Sequence, residues 1–480
     1  MPAPGESALS AKHPAGAATS FLGQIWRSVH GDATWLERIA VTGTGDLPSA
    51  FPVTGLATAV IGATGLAVAE LIHQASGQAP HVEVDRRLAS LWFGTSLRPH
   101  GWALPPQWDA VAGDYRAKDN WIRLHTNAPH HRDAALAVLG VAARADQAAV
   151  ARAVSGWEAS ALEAAIVESG GCSAAMRTVA EWAAHPQGIA VTSEPLLHWT
   201  ATAGGPRPAW AIAPDRPLRG IRVLDLTRIL AGPVATRLLA GFGADVLRID
   251  PPGWEEPGVV PEVALGKRCA RLDLKSAADR QVLERLLSQA DVMVHGYRPE
   301  ALARLGLDTR RRREINPALV DVSLDAYGWS GPWKGRRGFD SLVQMSTGIA
   351  DAGGRAAGLD RPKPLPVQAI DHATGYLMAT AAIRGLAQRL ATGAGCAVRA
   401  SLARTAHLLV AGAAPQDGAS MLAPETAPEA APETAADLAA VAEDTAWGPA
   451  HRIKPPATVH GAPMHWERPA GKLGTALAQW

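Results

Sequence analysis

Gly220-Ile221-Arg222-Val223-Leu224-Asp225-Leu226, followed within five residues by Ala231-Gly232-Pro233, is the stretch on which the fold turns. The first run is apolar, too short for a helix, and ends in polar residues, as a buried strand does. The proline then stands where the first turn of a helix tolerates it, because no amide partner is needed there. The same alternation continues downstream. Residues 244–250 read as the next strand, 271–274 as a short extended piece, 277–288 as a helix, 291–295 as a strand, 299–305 as a helix and 319–324 as a further strand. Strands alternating with helices over this length predict an α/β fold, a Rossmann-like doubly wound parallel sheet with ligands beyond the carboxyl ends of its strands.

Upstream the pattern changes. Residues 1–20 read as a disordered lead, 21–37 as a helix and 54–74 as a long Ala-rich helix that stops at Ser76-Gly77 before a strand at 81–85. Residues 113–125 suggest a β-hairpin about a polar turn at Lys118 to Asn120. Four helical stretches (134–139, 147–155, 159–169 and 176–185) then give a smaller, α-rich α+β domain. The early helix–stop–strand returns late in the chain, with a helix at 371–390, a stop at 391–393 and a strand at 397–401. The shift of 316 that pairs Gly393 with Gly77 also pairs Val398 with Val82 and Ser401 with Asp85. The predicted divisions are therefore a lead (1–20), an N-terminal part (21–199), a proline-rich linker (200–217), the Rossmann-like domain (218–410), an Ala/Pro/Glu-rich linker (411–450) and an extended arm (451–480) that packs back on the body through its tryptophans.

Composition narrows the function. At 480 residues there is room for two or three domains, and a net charge of +1 gives no reason to expect nucleic acid or an acidic membrane surface as partner. Cys172, Cys269 and Cys396 are too scattered for a disulfide framework or a thiolate zinc site, which fits a reducing compartment. Neither a signal peptide nor a membrane span is read, so a cytoplasmic protein is expected. His125, His130 and His131 crowd near Asp133 without the spacing of a metal site, and none is assigned. Gly241-Phe242-Gly243 follows a helix and precedes a strand, the reverse of a dinucleotide fingerprint, and no Walker A loop or Gly-x-Ser-x-Gly elbow is present.

One stretch carries candidate chemistry: Gly335-Arg336-Arg337-Gly338-Phe339-Asp340-Ser341-Leu342-Val343-Gln344. Asp340 reads either as an N-cap of the following helix or as a held nucleophile, its charge stabilised from behind while its outer oxygen stays free. The residues alone leave both open.

Six blocks in order resemble the class III CoA-transferases, the CaiB/BaiF type, a family that includes the α-methylacyl-CoA racemases. They are Arg222-Val223-Leu224-Asp225-Leu226-Thr227-Arg228-Ile229-Leu230-Ala231-Gly232-Pro233, Gly243-Ala244-Asp245-Val246-Leu247-Arg248-Ile249-Asp250-Pro251-Pro252-Gly253 and Gly266-Lys267-Arg268-Cys269-Ala270-Arg271-Leu272-Asp273-Leu274-Lys275. Then come Ala290-Asp291-Val292-Met293-Val294-His295-Gly296-Tyr297-Arg298-Pro299, Ser330-Gly331-Pro332-Trp333-Lys334-Gly335-Arg336-Arg337-Gly338-Phe339-Asp340, and Asp371-His372-Ala373-Thr374-Gly375. Residues 50–190 resemble the region that in this family follows the Asp-x-x-Thr-Gly helix, so the domain order looks rearranged or partly duplicated.

The resemblance implies an enzyme that moves CoA from an acyl-CoA to a carboxylic acid through an aspartyl-CoA thioester on Asp340. Coenzyme A is then a substrate, with no tightly bound cofactor. It assigns the CoA to Arg248, Lys267, Arg268, His295, Tyr297 and Arg298, and the acyl groups to Leu230, Arg337 and Phe339. Leu230 stands where oxalate-handling members carry Gln, which argues against a small dicarboxylate such as oxalate. The family's interlocked homodimer remains possible, although the rearranged order would let one chain supply both sides of a site. Two alternatives stay open: racemase-type proton transfer, with His295 or His372 as second base, and non-catalytic acyl-CoA binding.

Overall fold

The computed structural model of the chain describes residues 16–202, 204–208, 210–413 and 429–480. Most of the expected lead and part of the Ala/Pro/Glu-rich linker lie outside them. The main sheet has seven strands: β1 (His198–Ala201), β2 (Arg222–Leu226), β3 (Asp245–Asp250), β4 (Lys267–Arg271), β5 (Val292–His295), β6 (Val320–Asp325) and β7 (Cys396–Ser401). Their order is β4-β3-β2-β5-β6-β7-β1, parallel throughout except for the antiparallel edge strand β1. Chain direction across the sheet reverses between β2 and β5, which pair side by side. That is the topological switch point of a doubly wound fold. Val223, Leu224, Val246, Leu247, Val292, Val294, Val320 and Val322 are buried, as a sheet covered by helices on both faces requires. The third strand of the series is a correction. Lys267–Arg271, not 271–274, is the strand, its charges being absorbed by partners that the sequence pattern does not reveal.

Four helices matter most: α1 (Val53–Ser76), α2 (Ala231–Gly241), α3 (Asp340–Ser346) and α4 (Ala369–Thr392). α1 and α4 are both 24 residues long, offset by 316 (369 − 53), and they pack on one another. Both start from a residue near φ −75°, ψ 63° and end on a left-handed glycine, Gly77 at φ 73° and Gly393 at φ 74°. Thr64 of α1 and Thr380 of α4, 316 apart, meet at 2.9 Å between hydroxyl oxygens. By length and composition α1 is long and apolar enough to cross a bilayer, contrary to the expectation that no such run exists. Its whole apolar window is nevertheless buried in the protein.

The smaller domain forms as its pattern predicts. Gly113–Arg116 and Trp121–Leu124 make the hairpin, Ser173–Ala175 joins it, and Pro129–Leu139, Gln147–Val154 and Ala159–Glu168 cover one face. The tail differs from expectation. Glu443–Thr445 and Gly448–Arg452 form a sheet with Leu97–Pro99, inside the stretch read as linker. Ala457–Val459 pairs with Val82–Asp85, which in turn pairs with Ile39–Thr42. Trp466 stacks on Trp92 at 5.8 Å and donates to the Arg237 carbonyl, and Trp480 donates to that of Leu286. The arm packs on the body by short strands and indole anchors.

Candidate active site

The site grows from the first turn of α4. A helix start leaves its leading amides without partners, and on α4 two of them, from Ile370 and Asp371, point at one oxygen of Asp340, each at 2.9 Å. The other Asp340 oxygen accepts from the Gln344 side chain, one turn along α3. Gln344 is itself fixed, accepting from the Leu365 amide at 2.7 Å. Asp340 therefore caps a helix, but not its own: Phe339 is the N-cap of α3, and the carboxylate caps α4. Burial pushes the Asp340 carboxyl up to about 6, against the pull of these donors.

Both oxygens of Asp340 are engaged, so the bare outer oxygen expected of a held nucleophile is not on this residue. The neighbour that fits that description is Asp371, which sequence reasoning missed. Its side chain accepts no hydrogen bond from a described residue, and it is 5 % exposed. Burial, then the Asp340 charge beside it, raises its carboxyl well above the ordinary carboxylate range. The signal was on the page in Asp371-His372-Ala373-Thr374-Gly375, whose glycine has a job. A Cβ at Gly375 would lie 2.4 Å from the Ala231 carbonyl oxygen, so only glycine lets α2 approach α4 this closely.

Asp340 lines a cavity of about 330 Å³. One wall comes from the N-terminal part, with Phe93, Trp108 and Arg123, and the other from the C-terminal part, with Leu230 and His372. One chain supplies both sides. Asp371 is not itself among the residues lining this space, although Gln368 and His372 on either side of it in the first turns of α4 are. His372 stacks on Phe93 at 5.3 Å, and burial pushes its imidazolium down to about 3, so the ring is neutral. Leu230 is presented from a strained turn: Ile229 before it has φ 64°, rare for a β-branched residue, and donates its amide to Glu256 at 2.9 Å.

The remaining sequence candidates scatter. Arg248 is wholly buried and held by Asp250 (2.9 Å) and Glu256 (2.7 Å). Lys267 is wholly buried on Asp225 (3.1 Å) and the Pro233 carbonyl. Arg268 is on edge strand β4, paired with Asp245 at 2.8 Å. His295 is buried beside Asp321 (3.3 Å) and Arg312. Arg248, Lys267 and His295 are held by partners inside the fold, and Arg268 by Asp245 at the sheet edge. Phe339 stacks on His125 at 3.7 Å and is not among the residues lining the cavity. Tyr297 accepts from Arg228 across the switch point at 2.8 Å. Arg298 and Arg337 are exposed and near enough for Arg337, after burial, to lower the Arg298 pKa. Arg337 donates to the Gly170 carbonyl at 3.0 Å.

Residues 218–447 match CoA-transferase family III. The chain is 34% identical over 216 residues to acetyl-coenzyme A transferase nodX of Hypoxylon pulicicidum, covering 44% of this chain and 36% of that protein. It is 33% identical over 219 residues to succinyl-CoA:glutarate CoA-transferase of Mus musculus, covering 42% and 50%. A longer match, 28% over 397 residues, links it to an acyl-CoA transferase of Gibberella moniliformis, covering 73% and 68%. The chain thus spans about half or less of the length of the first of these relatives. Residues 218–447, which carry every parallel strand of the doubly wound sheet and both aspartates at the start of α4, are thus similar to CoA-transferase family III.

Proposed function

We propose that the protein transfers CoA from an acyl-CoA thioester to a carboxylic acid, with Asp371 as nucleophile and Asp340 as the carboxylate that positions it. The observation that carries this reading is the contrast within the pair. Asp340 is satisfied by three donors, whereas no described residue donates to the Asp371 side chain, and burial beside the Asp340 charge raises its pKa, which makes its ionised form basic and nucleophilic.

The steps balance without a cofactor. An Asp371 oxygen attacks the thioester carbonyl, the C–S bond breaks, and CoA thiolate leaves a mixed anhydride on the enzyme. The thiolate then attacks the Asp371 acyl carbon, giving an aspartyl-CoA thioester and releasing the first acid. The acceptor carboxylate reverses the sequence, taking the CoA and restoring Asp371. Because one thioester replaces another, no ATP is consumed. The positive end of the 24-residue helix α4 stabilises the negative charge at both aspartates. Exposed Arg298 and Arg337 suit the phosphates of coenzyme A.

A racemase reading draws support from His372, which faces the cavity next to Asp371. A ring held down to about 3 is a poor base at neutral pH, so transfer is preferred. Incubation with an acyl-CoA and hydroxylamine, followed by peptide mass spectrometry, decides: the hydroxamate is expected on Asp371. A hydroxamate on Asp340 reverses the assignment within the pair, and solvent deuterium entering the α-carbon without any hydroxamate establishes the racemase.

A further inference from the structure

Arg123 is the only arginine or lysine lining the cavity among the described residues. It sits on hairpin strand Trp121–Leu124, where alternation turns Ile122 and Leu124 into the core of the small domain and sends Arg123 the other way. Two contacts hold the guanidinium. Asp114, directly opposite in the hairpin register, accepts from Nη1 at 2.8 Å, and the Trp108 ring lies under the group at 4.7 Å. Both neighbours also line the cavity.

What these contacts leave over points to a ligand. Nη1 is the only Arg123 side-chain nitrogen that donates to a described residue, and Nε is buried with no partner among the described residues. The free Nε–Nη2 edge is the side of a guanidinium that grips a carboxylate with two parallel hydrogen bonds. A buried N–H without an acceptor is costly unless something arrives to take it. The Arg123 charge also reaches Asp340, where it favours the ionised form. The other full charges on the wall are already answered, since Glu262 is paired with Arg237 and with Arg452.

We infer that Arg123 is a specificity-determining residue that binds the distal carboxylate of an α,ω-dicarboxylic acid whose other end is the group that exchanges CoA. This rests on the CoA-transferase reading above for the reacting end, and on the unpaired guanidinium edge for the far one. Asp114 then serves to hold the fork in orientation across the hairpin.

The test uses the full chain with acetyl-CoA as donor, and glutarate or pentanoate as acceptors of equal length. With the wild type, kcat/KM for glutarate is expected to exceed that for pentanoate by about 10- to 100-fold, the range of a charge-assisted bidentate contact. In Arg123→Gln that ratio collapses to within about twofold, chiefly through KM. Asp114→Asn, which removes the cross-strand charge but keeps an amide oxygen to accept from Nη1 and orient the fork, retains the preference. Calorimetric binding of glutarate to the same proteins gives a second readout that needs no turnover. Equal use of both acids by the wild type overturns the assignment, as does equal loss of preference in Asp114→Asn and Arg123→Gln. Glutarate binding that depends on Arg123 without transfer to any acid supports the anchor and sinks the transferase reading instead. Absence of both transfer and binding sinks the anchor.

Discussion

α1 and α4 are the same helix twice, and the difference between them locates the chemistry. Length, starting torsions, C-capping glycine and the threonines that meet in the middle all coincide after a shift of 316. At the start they diverge. Where α4 has Asp371, α1 has Gly55 (55 + 316 = 371), and where α4 has His372, α1 has Leu56. A cavity opens beside the first turn of α4. Over that of α1 lies the helix Gly16–Ser28, close enough that a Cβ at Gly55 would touch Ala17 at 3.5 Å. One copy keeps a polar first turn and the other has been packed shut. Within this chain the repeat has become an internal pair in which one partner is scaffold and the other holds the site.

The sharpest way to break this comparison is to remove the bare carboxylate. Asp371→Ala is expected to lower kcat by about 10³-fold or more, the scale of losing a covalent nucleophile. Asp340→Asn keeps a cap on α4 and is expected to cost about 10- to 100-fold, because its role is orientation and charge. Steady-state CoA transfer with both variants checks this, and an Asp340→Asn protein as dead as Asp371→Ala would reverse the roles.

The next effect is on packing. Gly375 and its counterpart Ala59 (59 + 316 = 375) occupy equivalent places, but only Gly375 faces α2 at a distance that a Cβ cannot meet. Gly375→Ala is expected to destabilise the fold by about 3 kcal/mol, an overpacking cost. Ala59→Gly is expected to cost only about 1 kcal/mol, from helix propensity. Urea midpoints of the two variants test the asymmetry, and equal losses would remove it.

The sheet was legible because its strands are Val, Leu and Ile runs that can be little else, and the repeat because Gly77 and Gly393 stop two similar helices. Strand Lys267–Arg271 was not, since Lys267, Arg268 and Arg271 look like solvent-facing residues until Asp225, Asp245 and Glu255 are folded against them. The same blindness sent Arg248 and Lys267 to the coenzyme: a sequence displays a cation but not the carboxylate that neutralises it. Asp340 stood out in the sequence and lines the cavity, yet its distinction from Asp371 depends on amides 30 and 31 residues away. Arg123 was legible as a hairpin residue only, because the cavity it faces is closed by the other half of the chain.

A smaller effect follows from charge. Burial raises both aspartates above the ordinary range of about 4 in the folded state, Asp340 to about 6, and for Asp371 the Asp340 charge adds to it. Below pH 4 they are protonated in folded and unfolded chains alike and cost nothing. As pH rises towards 6 and beyond, the unfolded chain loses these protons first, so folding stability falls. Asp371→Asn removes one raised group and relieves the other. Its stability relative to the wild type should therefore grow with pH, from near zero at pH 4 to a clear gain at pH 7. Urea midpoints at pH 4, 5.5 and 7 read this, and a gap independent of pH would mean that the Asp371 carboxyl is not raised in the folded chain.

The smallest effect lies where the two copies touch. Thr64 and Thr380 lie 2.9 Å apart, but each hydroxyl also reaches a carbonyl of its own helix, that of Val60 at 2.9 Å and that of Tyr376 at 2.8 Å. A hydroxyl has one proton, so the contact between them exists only when one threonine gives up its own carbonyl. The net coupling should be correspondingly weak, about 0.5 kcal/mol. Thr64→Val and Thr380→Val are each expected to cost about 1 kcal/mol or less, and the double variant less than their sum, because replacing both partners strands neither. A coupling of zero in the double-mutant cycle would reduce the threonine pair to mere proximity. A coupling above about 1.5 kcal/mol would show that the copies are held together here by more than the apolar packing of α1 on α4.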